Sequence, residues 1–395
     1  MRKGWEYKKL GDCFSYIKNG ANIKQKKDAD GFPITRIETL SGGVFNRDRM
    51  GYAGIHDLSK YADYVLESKD LLMSHINSKT YIGRTVEYKR NNEETIIHGM
   101  NLLRLKAIHE LIDSTFFAYY TQSGDFKSKI ARIRKDAVNQ SSFAISDLKR
   151  FDIPLPPKST QLAIVSELDK INELIRLKKE QLKDFDNLAQ SLFYEMFGDP
   201  VENEKGWEVK KLGDISSIGT GSTPNRKNKD FYKTGTYPWV KSTEVCNLPI
   251  YSVEEYITEE ALKNSNCTLY PPNTILMAMY GQGKTRGQIG LLKIEACTNQ
   301  AVAAIMPTKE VVDEIFLSQH LMLMYEHIRN MARGGNQANL NLSIVKSIQI
   351  FLPPLSLQRL FAQRIEQIER EKSEVQKSIQ DLETLLASRM QYWFE

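Results

Sequence analysis

Two long stretches of the chain carry hydrophobic residues at alternating spacings of four and three, which is the pattern of a heptad seam. In residues 159–197 only Lys178 interrupts the row, and in residues 356–395 the interruptions are Lys372 and Arg389. We therefore predict two long helices that pack lengthwise against each other, with two ordinary core helices as the alternative. The predicted seam consists of Ile164, Leu168, Ile171, Ile175, Leu182 and Phe185 in the first helix, and of Phe361, Ile365, Ile368, Val375, Ile379 and Leu382 in the second.

Both predicted helices follow the same motif, IPLPPKSTQ in residues 153–161 and IFLPPLSLQ in residues 350–358. The paired prolines disfavour helix upstream, because proline lacks an amide hydrogen and restricts the residue before it. Ser159 and Ser356 follow the prolines, and serine is a favourable N-cap residue. We therefore expect each helix to begin with its serine as the N-cap.

A second motif indicates that the whole chain is an internal repeat. GWEYKKLGD in residues 4–12 recurs as GWEVKKLGD in residues 206–214. Each copy runs from a GWE motif through a globular segment into an LPP motif and a long helix. We expect Trp5, Leu10 and their counterparts to anchor the core where each globular segment begins.

The globular segments mix strand and helix patterns. Apolar runs at residues 274–279 and 301–306 predict strands, whereas residues 111–120 and 311–329 have helical periodicity. We therefore predict an α+β fold with two globular domains in a pseudo-twofold tandem repeat, separated by two long helices that form a coiled coil. The helices should be antiparallel, because each starts from its own globular segment. The predicted boundaries are 1–152 and 200–349 for the globular domains and 153–199 and 350–395 for the spacer helices.

Composition limits the class of protein. No apolar run is long enough to span a bilayer, and the N-terminus lacks the hydrophobic region of a signal peptide. The four cysteines form neither a CxxC motif nor a Cys/His group with zinc spacing. We therefore expect a reduced, cytoplasmic protein without a structural metal. The net charge of +5 permits a nucleic-acid partner without requiring one.

The sequence contains no recognisable catalytic motif. GQGKTRG in residues 281–287 is similar to a phosphate loop, but Ala278 stands where that loop needs its first glycine. The residues that follow, QIGLLKI, predict a strand instead of the required helix. Glycine-rich methyltransferase loops, NPPY-like tetrapeptides, HExxH and GxSxG are also absent from the sequence. A nuclease site built from scattered carboxylates stays open, although no spacing points to one.

Basic and amide residues cluster at corresponding places in the two globular segments. Such side chains contact phosphates and read base edges in DNA. Loop 281–287 also allows close approach of the backbone, with a solvated hairpin tip as the alternative. Asn139-Gln140 and Asn336-Gln337 match each other too, but they can instead cap local backbone. The candidates are Lys24, Arg36, Asn77, Lys79 and Arg84 in the first segment, and Arg226, Lys227, Lys241, Gln282, Lys284, Thr285, Arg286, Asn299 and Gln300 in the second.

Two diverged segments, each opened by GWExKKLGD and closed by IxLPPxxxQ and a heptad helix, resemble the specificity subunit of type I restriction-modification systems. The resemblance covers essentially all of the chain. PWVKSTEV (238–245), MAMYGQGKTRGQIG (277–290) and TNQA (298–301) are also similar to a recurrent type of target-recognition domain. These motifs add Ser242 and Tyr280 to the DNA-binding candidates.

The resemblance implies a division of roles among subunits. Each globular segment would be a target-recognition domain for one half of a split, asymmetric DNA site. The helices would form the spacer that sets the gap and docks two methyltransferase subunits. Those subunits would bind S-adenosylmethionine, and separate restriction subunits would use ATP and Mg²⁺, so this chain would bind no cofactor and perform no chemistry. The first segment follows the family pattern less closely, with NSKTYIGR (77–84) in place of GQGKTRG.

The length of the predicted helices suits such a spacer. A helix of about 36 residues is roughly 54 Å long, which corresponds to at most about 16 base pairs of DNA. Two recognition domains on such a rod would contact DNA about one helical turn apart, with an unread gap between them.

Three other interpretations remain. A type IIB-like system, whose partner fuses methyltransferase and nuclease, would use the same kind of specificity subunit. A coiled-coil scaffold with two protein-binding domains would not retain DNA, and its partner binding would depend little on salt. A catalytic DNA methyltransferase would bind its cofactor as the isolated chain.

Overall fold

The computed structural model describes residues 4–25, 30–138, 140–281, 283–331 and 339–395. The chain forms two compact units. Unit 1 joins Met1–Lys179 to Ser378–Glu395, and unit 2 is Glu180–Lys377. Each unit therefore contains one globular segment together with part of each long helix.

Unit 1 contains a four-stranded antiparallel sheet with helices against one face. Its elements in chain order are β1 (Glu6–Lys9), α1 (Leu10–Cys13), β2 (Phe14–Asn19), β3 (Leu71–Ser74), β4 (Ile76–Asn77), β5 (Thr85–Glu87), β6 (Leu102–Ala107), α2 (Ser114–Tyr120), α3 (Gly124–Ile133), β7 (Lys135–Asp136), β8 (Ser141–Ser142), α4 (Ile145–Lys149), β9 (Asp152–Leu155) and the start of α5 (Lys158–Phe197). The sheet has the order β2-β6-β3-β5, and a smaller sheet has the order β4-β8-β7. Alternate residues of the central strands, such as Leu71 and Leu103, are fully buried in one core with Phe116 and Phe117 of α2.

The elements of unit 2 are β10 (Glu208–Lys211), α6 (Leu212–Ile215), β11 (Ser216–Thr220), β12 (Tyr237–Val240), β13 (Pro249–Ile250), β14 (Tyr256–Ile257), α7 (Glu259–Asn264), β15 (Ile275–Ala278), β16 (Ile289–Leu292), β17 (Cys297–Thr298), β18 (Val302–Pro307), α8 (Glu314–Leu323), α9 (Tyr325–Met331), α10 (Leu342–Ser347), β19 (Gln349–Leu352) and α11 (Leu355–Phe394). Unit 2 begins and ends with the same elements as unit 1, but it has additional strands and a short helix between β11 and β15. A five-stranded sheet has the order β11-β18-β15-β16-β13, and a three-stranded sheet has the order β14-β12-β17. The strands predicted from the apolar runs are confirmed as β15 and β18, and the predicted helix at 311–329 is confirmed as two helices, α8 and α9.

The two repeated motifs meet at the base of each unit. The strand of the GWE motif pairs antiparallel with the strand before the prolines, so β1 pairs with β9 and β10 with β19. Leu10 and Leu212 follow these first strands and are fully buried, as expected for core anchors, whereas Trp5 and Trp207 are only half-buried. The Trp207 indole donates to the carbonyl oxygen of Phe197 at 3.0 Å, which satisfies a free acceptor at the end of α5.

Each long helix begins two residues earlier than a serine N-cap would place it. The helices begin at Lys158 and Leu355, and the amides two positions into each helix donate to the Pro157 and Pro354 carbonyl oxygens at 2.8 Å. Ser159 and Ser356 therefore lie inside the first turn, and the N-cap prediction is wrong. The second proline can occupy the N-cap position because the residue there needs only a carbonyl oxygen that accepts the first helical hydrogen bond, and proline has one.

A buried glutamine closes each LPP motif. In unit 1 the Gln161 amide donates to the Pro156 carbonyl oxygen at 2.9 Å, and its oxygen accepts from the Asp113 amide at 2.8 Å. Gln358 makes the same two kinds of bond in unit 2, with the Pro353 carbonyl oxygen and the Asp313 amide. Both side chains are fully buried. Each glutamine therefore ties the start of a long helix to the N-cap residue of α2 or α8.

Within each unit the two helix segments run antiparallel. In unit 1, Glu167 pairs with Arg389 and Lys179 pairs with Glu383 at 2.8 Å, so higher numbers on α5 meet lower numbers on α11. Nine of the predicted seam residues are buried, whereas Leu182, Phe185 and Leu382 are half-buried. The seam in unit 1 contains Ile164, Leu168, Ile171, Ile175, Ile379 and Leu382, and that in unit 2 contains Leu182, Phe185, Phe361, Ile365, Ile368 and Val375.

The helix ends bury aromatic residues that the heptad pattern did not include. Phe193 and Phe197 of α5 are fully buried in the core of unit 2, where they contact Phe316 and Phe361. Phe394 of α11 is buried in the core of unit 1. The pattern missed these residues because they pack against a globular core, which covers a wider helical face than a partner helix does.

No described helix has the length and apolar character that crossing a membrane would require.

Candidate nucleic-acid interface

The chain turns back on itself between β15 and β16, and we call the described residues 281 and 283–287 of this hairpin the glycine loop. The Gly287 amide donates to the Ala278 carbonyl oxygen at 2.8 Å and closes the hairpin. Gly281, Gly283 and Gly287 have φ angles of 146°, 62° and 87°. Glycine adopts such angles without the steric cost that a Cβ would bring, so the three glycines permit this backbone path.

The glycine loop brings polar and basic side chains to the surface. Lys284 is exposed, Thr285 and Arg286 are half-buried, and Tyr280, just before the loop, is 39% exposed. The Nε atom of Arg286 is buried and has no hydrogen-bond partner in the described part of the chain. Gln282, the remaining candidate here, lies outside the described residues.

Helix α9 supports the glycine loop from behind. The Tyr325 hydroxyl donates to the carbonyl oxygen of Lys284 at 2.5 Å. One turn later, Arg329 donates to that same hydroxyl, and its guanidinium lies 5.1 Å from the centre of the Tyr325 ring. Sequence reasoning missed both residues, because α9 is distant along the chain and only its helical periodicity was visible.

Three strand ends bring the other candidates of unit 2 near the glycine loop. β12 runs parallel to β17, and the Asn299 amide donates to the Val240 carbonyl oxygen at 3.1 Å. The Met279 amide donates to the Ala301 carbonyl oxygen at 2.8 Å. Residues 240–242, 279–287 and 299–301 are therefore neighbours, as an interface built from several loops requires.

Several of these candidates already have local partners. Lys241 pairs with Glu254 at 2.7 Å, and this hydrogen bond raises the pKa of the lysine. The Asn299 side chain accepts from the Ala301 amide at 3.1 Å, and Gln300 accepts from the Thr223 hydroxyl at 2.5 Å. These bonds fix the side chains, while half-buried Ser242 and exposed Lys227 complete the unit 2 set.

Arg226 is held more firmly than the sequence indicated. Its guanidinium lies 4.4 Å from the Tyr232 ring centre and 4.7 Å from that of Trp239. It also forms a double hydrogen bond with Glu255, and the arginine lowers the pKa of that carboxyl group. Packing and charge pairing of this kind hold the guanidinium in place, and a DNA contact by Arg226 stays a prediction.

In unit 1 the corresponding loop carries Asn77, Lys79 and Arg84. Asn77 donates to the Ser74 hydroxyl at 3.0 Å, and Lys79 pairs with Asp136 at 3.1 Å. Arg84 stacks over the Tyr81 ring at 4.4 Å and donates to a backbone carbonyl oxygen. The structure therefore brings these three candidates together in the segment between β3 and β5.

The remaining candidates of unit 1 lie on another part of the chain. Arg36 precedes a short 3-10 helix and pairs with Glu38 at 3.5 Å, with both side chains largely exposed. Lys24 is exposed. Asn139, Asn336 and Gln337, from the paired amide motifs, lie outside the described residues.

The loops of the two units rest on helices in the same way. Gly83 has a φ angle of 81°, and a methyl group there would lie 3.1 Å from Ile130 of α3. Gly287 has a φ angle of 87°, and a methyl group there would lie 3.1 Å from Arg329 of α9. The two loops are therefore structurally equivalent, despite their different sequences.

Metal binding has no support in the described residues, which contain no group of three or more His, Cys, Asp or Glu side chains suited to hold an ion. What the two loops offer is cationic and amide groups on exposed hairpins. That chemistry suits contacts to a polyanion and to base edges.

Two proteins similar to this chain are named as specificity subunits of type I restriction enzymes. The MjaX specificity subunit of Methanocaldococcus jannaschii, a type I restriction enzyme subunit, is 29% identical over 405 residues, which cover 97% of this chain and 92% of that protein. The EcoR124I/EcoR124II specificity subunit of Escherichia coli is 26% identical over 217 residues, or 53% of each chain.

Solved structures share the fold. The S subunit of a type I restriction-modification system from M. genitalium aligns with a TM-score of 0.58 at 15% identity, covering 98% of this chain and 95% of that one. A chain from another type I system aligns with a TM-score of 0.62 at 17% identity, covering 100% of this chain and 98% of that one.

The family model of the type I restriction modification DNA specificity domain matches twice, at residues 2–184 and 204–384. These two matches coincide with the two copies of the internal repeat and together cover most of the chain. The protein therefore belongs to the type I restriction-modification DNA specificity family and carries its domain in duplicate.

Proposed function

We propose that this chain is the DNA-specificity subunit of a type I restriction-modification enzyme, in which each unit reads one half of a bipartite, asymmetric site. The observation that carries the proposal is the pair of structurally equivalent loops, one per unit, whose side chains differ. Asn77, Lys79 and Arg84 would read one half-site, and Lys284, Thr285 and Arg286 the other. Asymmetry of the site follows because the two sets of side chains would select different bases.

We further propose that the chain performs no chemistry itself. Two methyltransferase subunits would dock on the long helices and bind S-adenosylmethionine, and restriction subunits with ATP and Mg²⁺ would join through the complex, all in the cytoplasm. Exposed leucines along the helices support a docking role, because such residues gain stability from a covering partner. They are Leu162, Leu174, Leu177, Leu188, Leu360 and Leu385.

Genomic methylation mapping tests the proposal. A host receives this gene with its cognate methyltransferase gene, and a control host receives the methyltransferase alone. We expect a split motif, methylated on both strands, that appears only when this chain is present. No new methylation with an active methyltransferase would contradict the proposal.

The same experiment assigns the half-sites. Arg286→Ala should relax the motif only in the half read by unit 2, because the arginine lies on the glycine loop of that unit. A base contact by arginine contributes about 1–3 kcal/mol of discrimination, so the methylated motif should become visibly degenerate. Relaxation in the other half-site would reverse the assignment of the units.

A further inference from the structure

We propose that Tyr325 and Arg329 are positioning residues for the glycine loop, so that reading of the unit 2 half-site depends on helix α9. The proposal rests on the proposed function and adds to it two residues that lie outside the loop. Neither belongs to the repeated GWE or LPP motif.

The first argument is the hydrogen bond at the centre of the loop. The Lys284 carbonyl oxygen lies between two glycines with positive φ angles, Gly283 and Gly287, and glycine restricts the backbone less than any other residue does. The Tyr325 hydroxyl donates to that carbonyl at 2.5 Å. Fixing this one peptide group restricts the directions in which the Lys284 and Arg286 side chains leave the loop.

The second argument is that the tyrosine is itself fixed. Arg329 lies one helical turn after Tyr325, donates to its hydroxyl and packs over its ring. A hydroxyl that accepts from a guanidinium becomes a stronger donor, since hydrogen bonds in a chain polarise one another. The three groups therefore form a chain of hydrogen bonds, from the Arg329 guanidinium to the Tyr325 hydroxyl and from that hydroxyl to the loop carbonyl.

The third argument is the comparison with unit 1. There the equivalent glycine rests on Ile130 of α3, an apolar residue, at the position that Arg329 takes in unit 2. Both units use the helix as a platform, but unit 2 adds a polar connection. The glycine loop of unit 2 contains three glycines with positive φ, where the loop of unit 1 has Gly83. Its backbone therefore has access to more conformations, and a hydrogen bond from α9 has more of them to exclude.

The test compares DNA discrimination by the full chain in complex with its methyltransferase. The variants are Tyr325→Phe, which removes only the donor, and Arg329→Gln, which removes the guanidinium. Asn330→Ala, an exposed position on the same helix, is the matched control. Affinity is measured for the mapped site and for duplexes with one base changed in either half, at several salt concentrations.

Loss of one net hydrogen bond should lower discrimination at the unit 2 half-site by roughly three- to tenfold in both variants. Discrimination at the other half-site should stay the same, and so should the melting temperature and the values for Asn330→Ala. We call Tyr325 and Arg329 together the brace. Because the brace contacts no phosphate in this proposal, the slope of log affinity against log salt should not change in its two variants. Lys284→Ala should reduce that slope by about one.

Three results would overturn the inference. Equal losses at both half-sites would indicate a general folding defect, and unchanged discrimination would show that the brace is dispensable. A reduced salt slope for Arg329→Gln without one for Tyr325→Phe would make Arg329 a direct phosphate contact. Absence of any sequence preference in the unaltered complex would instead reject the proposed function, and the inference with it.

Discussion

At the scale of single residues, the two LPP motifs depend on one buried amide each. Gln161 and Gln358 bond a backbone carbonyl on one side and the amide of an aspartate N-cap on the other. In the sequence each looked like a polar position at the start of an exposed helix. Its burial could not be foreseen, because the aspartate amide that donates to it lies 48 residues away in unit 1 and 45 residues away in unit 2.

Replacing Gln358 with leucine should destabilise unit 2 by about 2–4 kcal/mol, since two buried backbone groups lose their partner. The midpoint of urea unfolding measures the loss. Gln363→Leu, at an exposed site on the same helix, should change stability by no more than about 0.5 kcal/mol. Equal effects of the two variants would contradict the role assigned to the buried amide.

His320 of α8 is a fully buried histidine among aromatic rings. Its ring centre lies 4.2 Å from that of Phe351 and 5.6 Å from that of Phe316. Burial lowers the pKa of His320 from its ordinary value of 6.5 to about 4. The folded chain therefore keeps the ring neutral at pH values where the unfolded chain protonates it.

Stability should consequently fall as the pH drops from 6.5 towards 4, because the unfolded state then binds the additional proton. One such histidine accounts for a loss of about 3 kcal/mol between pH 7 and pH 4. His320→Gln, which keeps an amide donor for the Pro200 carbonyl oxygen, should reduce this pH dependence in urea titrations. An unchanged slope would show that His320 does not stay neutral when folded.

At the scale of elements, the glycine loop and α9 act together. Gly287→Ala should disturb the loop more than Gly283→Ala. Both residues have positive φ, but a methyl group at Gly287 would meet Arg329, whereas space around Gly283 is open. We expect about a tenfold loss of affinity at the unit 2 half-site for Gly287→Ala, and a smaller loss for Gly283→Ala, whose main cost is about 1 kcal/mol of backbone strain. Equal losses would show that strain alone matters.

Elements were predictable where the signal is local. Strands β15, β16 and β18 follow from short apolar runs, and the long helices follow from heptad spacing. The brace on the glycine loop was not predictable, because Tyr325 and Lys284 are 41 positions apart and nothing local links them. Arg226 shows the same limit, because its partners Trp239 and Glu255 become neighbours only in the fold and could not be read from the sequence.

At the scale of the whole molecule, the helices should act as a ruler for the DNA site. Each long helix has 40 residues, which is roughly 60 Å of helix. Inserting one heptad into both α5 and α11 preserves the seam and lengthens the rod by about 10 Å. The methylated motif should then keep both half-sites and gain about three base pairs in its gap.

Sequencing of the methylated motif measures the gap directly. A four-residue insertion in each helix is the control, because it breaks the register of the seam and should abolish specific methylation. An unchanged gap after the heptad insertion would mean that the helices do not set the spacing.

The division of the chain into units also has a consequence for how the protein is made. Unit 2 is one continuous stretch, whereas unit 1 is completed by residues 378–395. Ile164 and Leu168 share one core with Leu386 and Trp393. That core therefore lacks its C-terminal residues while the ribosome adds residues 180–395. At about 5–20 residues per second that delay is roughly ten to forty seconds. We therefore expect unit 1 to finish folding last, although most of it is synthesised first. The apolar face of α5 would stay accessible to chaperones until the last turns of α11 have been made.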